Sequence, residues 1–250
     1  MNTQNLAQNG LNDMKDRFTE YLKLSKILSL TPILPKIKLS DNHTSKKDNY
    51  LTDYIDIPDF VIQYHPIDEN EIFYWNLTSD FIPNDDLYKK YAGQIHDYVL
   101  NIIFLDKYKK IAEEIIDSLK KPICIVHVRR GDYLSIINSL NYTTKPEHIS
   151  DVLRKYNFNN CYIKTNEFDP NFFDSLKIEF NVKLFCDFPI LQKIADSGDN
   201  YALYCVECCM RDLCDIRIST FNTKNKELCW LPNNDPDYFT DYLDETHGFQ

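Results

Sequence analysis

The chain has little glycine, a deficit of positive charge and no long apolar run. Only 5 of its 250 residues are glycine, which leaves few positions where the backbone can closely approach a phosphate. Asp and Glu total 38 against 28 Lys and Arg, giving a formal net charge of −10. This excess of negative charge argues against nucleic acid or an anionic membrane as the main partner.

No stretch reaches the ~20 apolar residues that a membrane-spanning helix requires. The first residues, MNTQNLAQNG, also lack the charged-then-apolar layout of a signal peptide. We therefore expect a soluble, cytoplasmic protein without a transmembrane segment. In that setting the eight cysteines indicate thiols rather than a disulfide framework.

The second half of the chain alternates between strand and helix patterns. Strands are predicted at 122–128, 160–165, 182–187 and 216–220, and helices near 147–156 and 201–214. The strands are apolar on both faces by pattern, which is typical of a parallel sheet covered by helices.

The first half gives weaker signals. Apolar residues three and four apart predict helices over 11–29 and 106–119, and TPILP at 31–35 reads as a short strand. Between 40 and 105 the pattern supports no assignment, since short apolar runs are interrupted by prolines. We predict a domain boundary near 120, giving domains 1–120 and 121–250.

Positive charge gathers at one place, in CIVHVRRGDYL at 124–134. Ligands of open parallel sheets bind beyond the carboxyl ends of the strands, and this predicted strand ends where Arg129 and Arg130 begin. The guanidinium fork suits a phosphate or diphosphate, and Gly131 permits a sharp turn. Asp132 is suited to hold an arginine or accept a hydroxyl proton. A structural ion pair that fixes a loop is the alternative for the same residues.

The segment HVRRGDY at 127–133 resembles the His-x-Arg-x-Gly-Asp motif of the fucosyltransferase superfamily, which includes α-1,2-, α-1,6- and protein O-fucosyltransferases. Three further segments are similar to family elements and follow in the same order. They are the opening turn, helix and strand at 9–35, the acceptor-side stretch DNYLTDYIDIPDF at 48–60, and the strand CDIRISTFNT at 214–223.

The resemblance implies an α/β, GT-B-like fold with two Rossmann-type halves, parallel sheets and a cleft between them. Residues 1–120 then form the acceptor side and residues 121–250 the donor side. The implied activity is an inverting, metal-independent glycosyltransferase that moves fucose from GDP-fucose to a hydroxyl of a glycan or protein. No cofactor is implied, since GDP-fucose is the donor substrate.

The resemblance also assigns roles to individual positions. Arg129 matches the arginine that contacts the donor's β-phosphate, and Asp132 matches an acidic position of the same network; both are candidate catalytic residues. The candidate donor-binding residues are Asn12, His127, Arg130, Ser219, Thr220 and Phe221.

The opening turn departs from the family pattern, because Asn9 replaces a glycine and Asp13 a glutamine. No general base is identifiable from the sequence. A catalytically inactive nucleotide-sugar-binding homologue, or a partner subunit, is therefore the alternative to an enzyme. A transferase with another sugar donor is a second alternative, because arginine contacts indicate a diphosphate and do not identify the sugar or the base.

The remaining candidate site is a group of cysteines at 205–214 in YCVECCMRDLCD. A Cys-x-x-Cys pair is compatible with zinc, but all of these thiols fall within one helical stretch, which favours small buried side chains. The sequence has no Asp-x-Asp pair in a metal-binding context, and we expect no metal.

Overall fold

The computed structural model describes residues 10–34, 37–41, 44–63, 85–131, 133–136, 140–167 and 169–219. The chain forms two compact units of mixed α/β structure. The N-terminal unit comprises Met1–Tyr108 and Ile194–Cys205, and the sheet unit comprises Lys109–Lys193 and Val206–Gln250. No helix in the described ranges combines the length and the apolar character needed to cross a membrane.

Helix α1 (Leu11–Ile27) opens the described part of the chain, as predicted. It buries Leu11, Phe18 and Leu22, which share one side at spacings of seven and four. After the helix, Ser29 adopts a positive φ of 55°. The amide of Leu30 donates to the Ser25 carbonyl at 2.8 Å, which is the closing bond of a Schellman-type end.

The other elements before the sheet are short strands and two helices. Strands β1 (Ile33–Leu34) and β2 (Ile62–Gln63) pair in parallel. Helices α2 (Asp85–Asp97) and α3 (Asp106–Ser118) follow. The predictions of a strand in TPILP and of a helix over 106–119 are therefore confirmed.

A four-stranded parallel sheet organises the sheet unit. Its strands are β3 (Ile123–Val128), β4 (Asn160–Thr165), β5 (Val182–Lys183) and β6 (Ile216–Ser219), in the order β5-β4-β3-β6. Helices α4 (Tyr133–Ile136), α5 (Leu140–Thr143), α6 (Pro146–Leu153), α7 (Asp174–Glu179), α8 (Pro189–Asp196) and α9 (Asn200–Leu213) lie between or after the strands. The predicted parallel sheet is confirmed.

The predicted strand at 182–187 is too long. It ends at Lys183, and Phe185–Asp187 forms a 3-10 turn instead. The Asp187 carboxylate accepts a hydrogen bond from the Leu184 amide at 2.7 Å. This local side-chain bond supplies the backbone donor with a partner outside the sheet, and the strand stops there.

One face of the sheet carries the hydrophobic core of this unit. Every second residue of the strands points into it, together with apolar residues of α6, α7 and the turn before α7. The buried cluster is Cys124, Val126, Val128, Ile149, Val152, Leu153, Cys161, Ile163, Phe173, Leu176, Val182, Leu184 and Ile218.

The opposite face holds both apolar and polar residues. Ile123 and Ile125 of β3 lie there and are 0% and 1% exposed, as expected for a strand that is apolar on both faces. Alternate positions there hold His127 on β3, Tyr162 and Lys164 on β4, and Arg217 and Ser219 on β6. Period-two alternation puts these residues on one side and the core residues on the other. The expectation of strands apolar on both faces therefore holds along most of β3 but not for β4 and β6.

The core assignment predicts how two isoleucines of this unit respond to truncation. Ile163 is 1% exposed in β4, whereas Ile178 is 89% exposed in α7. Ile163→Ala should lower the free energy of unfolding by about 2–5 kcal/mol, because it removes buried methylenes and leaves a cavity. Ile178→Ala should change it by less than about 0.5 kcal/mol. Urea denaturation measures both, and equal losses would contradict the assignment of the core to this face.

Candidate functional site

The candidate site lies at the carboxyl edge of the sheet, where β3, β4 and β6 end side by side. Val128 pairs with Thr165, and His127 pairs with both Lys164 and Ser219. In a parallel sheet this edge is where ligands bind. The structure thus brings His127, Arg129, Arg130 and Ser219 to the same edge of the sheet, and their role in donor binding stays a prediction.

The loop after β3 turns at Gly131, whose φ is +50°. The Arg130 amide donates to Asn166 Oδ1 at 2.8 Å, and Asn166 Nδ2 donates back to the Arg130 carbonyl at 3.4 Å. A Cβ atom at position 131 would collide with the Asn166 side chain. Glycine is therefore required here both by its left-handed backbone and by lack of space.

Arg130 is buried and faces protein groups. Its Nε donates to Glu167 Oε2 at 2.5 Å, and a terminal nitrogen donates to Thr144 Oγ1 at 2.6 Å. The guanidinium carbon also lies 4.0 Å from the centre of the Phe172 ring. These contacts match the structural ion pair that the sequence leaves open as an alternative. Arg130 shapes the site by holding the loop, and a direct donor contact stays a prediction.

The end of β4 is joined to the end of β3. Thr165 Oγ1 donates to the Val128 carbonyl at 2.9 Å and accepts from the Glu167 amide at 3.0 Å. Thr165, Asn166 and Glu167 also belong to this edge and were not predicted from the sequence. A signal was present, because the polar run TNE begins at the last residue of the strand predicted at 160–165.

Arg129 follows the last residue of β3 and is partly exposed. Its positive charge acts on His127, which is only partly accessible to solvent. Burial lowers the pKa of His127 well below its usual value, and the charges of Lys164, Arg211 and Arg129 lower it further. At neutral pH the imidazole is therefore neutral, with one ring nitrogen as a donor and the other as an acceptor.

The other predicted site residues fall in different places. Ser219 is 7% exposed at the end of β6. Asn12 lies in the first turn of α1, in the N-terminal unit, where its amide donates to Asp16 Oδ2 at 3.1 Å. Asp132, Thr220 and Phe221 lie outside the described residues.

In the N-terminal unit, the predicted acceptor-side segment is anchored by Tyr54. Its hydroxyl donates to Asp199 Oδ1 at 2.8 Å and also contacts Asn49 Oδ1. Lys46 forms an ion pair with the other oxygen of Asp199 at 2.8 Å. Burial first, and then the hydrogen bond to Asp199, raises the pKa of Tyr54 far above its usual value. Tyr54 thus stays protonated and fixes this segment, whose acceptor role stays a prediction.

The described cysteines form no disulfide with one another. On α9, Cys205 is buried, while Cys208 and Cys209 are partly buried. In the described ranges, no three His, Cys, Asp or Glu side chains are grouped as a metal site requires. The expectation that the chain acts without a metal stays a prediction.

No protein-family model matches the chain. A curated protein, reticulocyte-binding protein 2 of Plasmodium vivax (strain Belem), is 30% identical over 113 residues. That segment is 44% of this chain but 4% of the Plasmodium protein, so the chain spans a small part of that protein's length.

Two solved structures of POFUT1, a protein O-fucosyltransferase, are similar to the chain. The complex with GDP has 12% sequence identity, a TM-score of 0.49, and coverage of 84% of this chain and 87% of POFUT1. The complex with GDP-fucose has 11% identity, a TM-score of 0.51, and coverage of 95% of this chain and 90% of POFUT1. The second comparison confirms the predicted fold class: the chain has an α/β, GT-B-like fold similar to that of POFUT1.

Proposed function

We propose that the chain is an inverting glycosyltransferase that moves fucose from GDP-fucose to a hydroxyl of a glycan or protein. The observation that carries this proposal is Arg129 beside His127 at the carboxyl edge of a parallel sheet. The similarity of the fold to that of POFUT1, which was solved with GDP-fucose, supports the choice of ligand.

The proposed chemistry centres on the leaving group. As the acceptor oxygen attacks the anomeric carbon, the bond from that carbon to the diphosphate breaks and GDP departs. Negative charge grows on the β-phosphate oxygens during this step, and the Arg129 guanidinium stabilises it. Arg129 also supplies the charge neutralisation that a divalent metal provides in other transferases. The acceptor proton passes to a base, for which Asp132 is the candidate by residue type.

His127 and Ser219 provide hydrogen bonds beside that charge. A neutral imidazole donates one hydrogen bond without adding a formal charge. Ser219 occupies the position next to His127 on the neighbouring strand, so its hydroxyl is available to the same ligand. In this proposal both residues orient the donor, while Arg129 acts on the breaking bond.

The alternative is a nucleotide-sugar-binding protein without transferase activity. One observation favours it: the Asn12 amide is engaged by Asp16 within α1, whereas the family resemblance assigns this asparagine to the nucleotide. A binder of this kind keeps the phosphate contacts at Arg129 and lacks turnover.

Replacing Arg129 tests the phosphate contact directly. Arg129→Ala should weaken GDP binding by about 10- to 100-fold, because a hydrogen bond to a charged group contributes about 1.5–3 kcal/mol. Titration calorimetry measures the affinity. Arg154→Ala is the matched control, since Arg154 follows α6 and forms exposed ion pairs with Asp151 and Glu179. This variant should bind GDP as the unmodified chain does. Equal GDP affinity in all three proteins would refute the proposed site.

Replacing Arg130 should act on stability. Arg130→Ala leaves the largely buried Glu167 carboxylate, whose side chain is 15% exposed, without its ion-pair partner. Breaking a buried pair in this way costs about 3–5 kcal/mol, whereas Arg154→Ala breaks an exposed pair worth about 0–1 kcal/mol. Urea denaturation compares the two variants. A loss for Arg130→Ala no larger than that for Arg154→Ala would show that the buried pair does not hold the loop.

A turnover assay distinguishes a transferase from a protein that only binds the nucleotide sugar. With a panel of glycan and peptide acceptors, the chain should release GDP from GDP-fucose, and Arg129→Ala should slow that release by about 10²–10³-fold. Mass spectrometry of the acceptors confirms transfer over hydrolysis. Binding of GDP-fucose without GDP release on any acceptor supports the alternative, and stronger competition by UDP or ADP than by GDP would exclude a guanosine donor.

A further inference from the structure

A row of polar residues crosses the sheet just before its carboxyl edge. Lys164 on β4, His127 on β3 and Ser219 on β6 are register partners across adjacent parallel strands. Partners in register point to the same side of a sheet. The row therefore lies on the face of the sheet opposite Val126 and Ile163.

Two polar contacts join helix α9 to this face. The Lys164 ammonium donates to Cys208 Sγ at 3.2 Å, and the Tyr162 hydroxyl donates to Glu207 Oε1 at 2.7 Å. Arg211 follows Glu207 and Cys208 by four and three residues, so these three residues share one side of the helix. Lys164 and Glu207 are only 7% and 6% exposed.

Positive charge is concentrated around His127. Lys164, Arg211 and Arg129 act on this imidazole from β4, α9 and the end of β3. Glu207 faces Lys164 and offsets part of that charge, although its own pKa is raised, mainly by burial. The cluster stands in a chain whose formal net charge is −10.

A buried cation at the position of Lys164 needs a physical reason. The covered faces of parallel sheets are normally apolar, and moving an ammonium out of water is costly. The same loss of water makes the field of the cation stronger and longer-ranged than at the surface. A ligand with several negative charges at the neighbouring strand ends would benefit most from that field.

We propose that Lys164 and Arg211 act with Arg129 as a cationic cluster that makes the diphosphate the main recognised part of the ligand. Lys164 is a positioning residue, which acts on the ligand through its field and through His127. This inference rests on the proposed function and deepens it, because it assigns two further residues to the same site. It predicts a preference for GDP over GMP, and weak binding of guanosine.

The test compares Lys164→Met, Lys164→Arg and Lys183→Met with the unmodified chain. Lys183 is the register partner of Tyr162 on β5, so its replacement removes a lysine from the same face at a distance from the carboxyl edge. Each protein is titrated with GDP, GMP, guanosine and inorganic pyrophosphate by calorimetry, at low and at high salt.

Lys164→Met should weaken GDP and pyrophosphate binding by about tenfold, which corresponds to about 1.4 kcal/mol. Guanosine binding should not change, and the loss of GDP affinity with added salt should become smaller. Lys164→Arg should restore most of the affinity, and Lys183→Met should behave as the unmodified chain.

Two results would overturn the inference while leaving the proposed function intact. One is a Lys164→Met protein with unchanged GDP affinity, if Arg129→Ala still loses GDP. The other is an equal loss for GDP and guanosine, which a merely structural role produces. Pyrophosphate binding without any GDP binding would instead support the cationic cluster and refute the proposed function. If Lys164→Met does not fold, as shown by its circular dichroism, the same titrations with Arg211→Gln decide in its place.

Discussion

The buried ion pair between Arg130 and Glu167 is the contact on which the arrangement of the site depends. It joins the loop after β3 to the residues after β4. Asn166 joins the same two segments, because its side chain accepts a hydrogen bond from the Arg130 amide. Because the Arg130 side chain is directed to Glu167, Thr144 and Phe172, the two neighbouring arginines serve different purposes. Arg130 fixes the loop, and in the proposed function Arg129 acts on a ligand at the strand ends.

The two faces of the sheet differ in the residues that they bury. The face that holds Val126 and Ile163 is apolar and supplies a large part of the hydrophobic stabilisation of the unit. The other face holds His127 and Lys164, whose burial costs free energy. The sheet tolerates this cost because successive side chains of a strand point to opposite faces. Polar residues on one face therefore leave the packing of the other face intact.

Sequence patterns predicted the longer helices and strands and the sheet edge that holds the candidate site, but only some of the residues found at that edge. β4 was predicted at 160–165 and is found there, since a compact apolar run bounded by polar residues marks a strand. The strand at 182–187 was drawn too long because the Asp187 side chain ends it through a local hydrogen bond. The partners of Lys164, Asn166 and Glu167 could not be predicted, because they are 36 to 44 residues away in the sequence. Such pairings depend on the register of the sheet, which the periodicity of a single segment does not predict.

The negative net charge of the chain limits how it can bind a diphosphate. An acidic protein repels a free nucleoside diphosphate at long range, and salt screens that repulsion within about 10 Å. Binding must therefore come from cations close to the phosphates, in a place where water is partly excluded and their fields are stronger. The residues near His127 meet this condition, since the charges of Lys164, Arg211 and Arg129 act on an imidazole that is largely shielded from solvent. A single exposed arginine would be weaker in this setting, and that is the physical reason to expect the binding of a diphosphate to depend on the whole cluster.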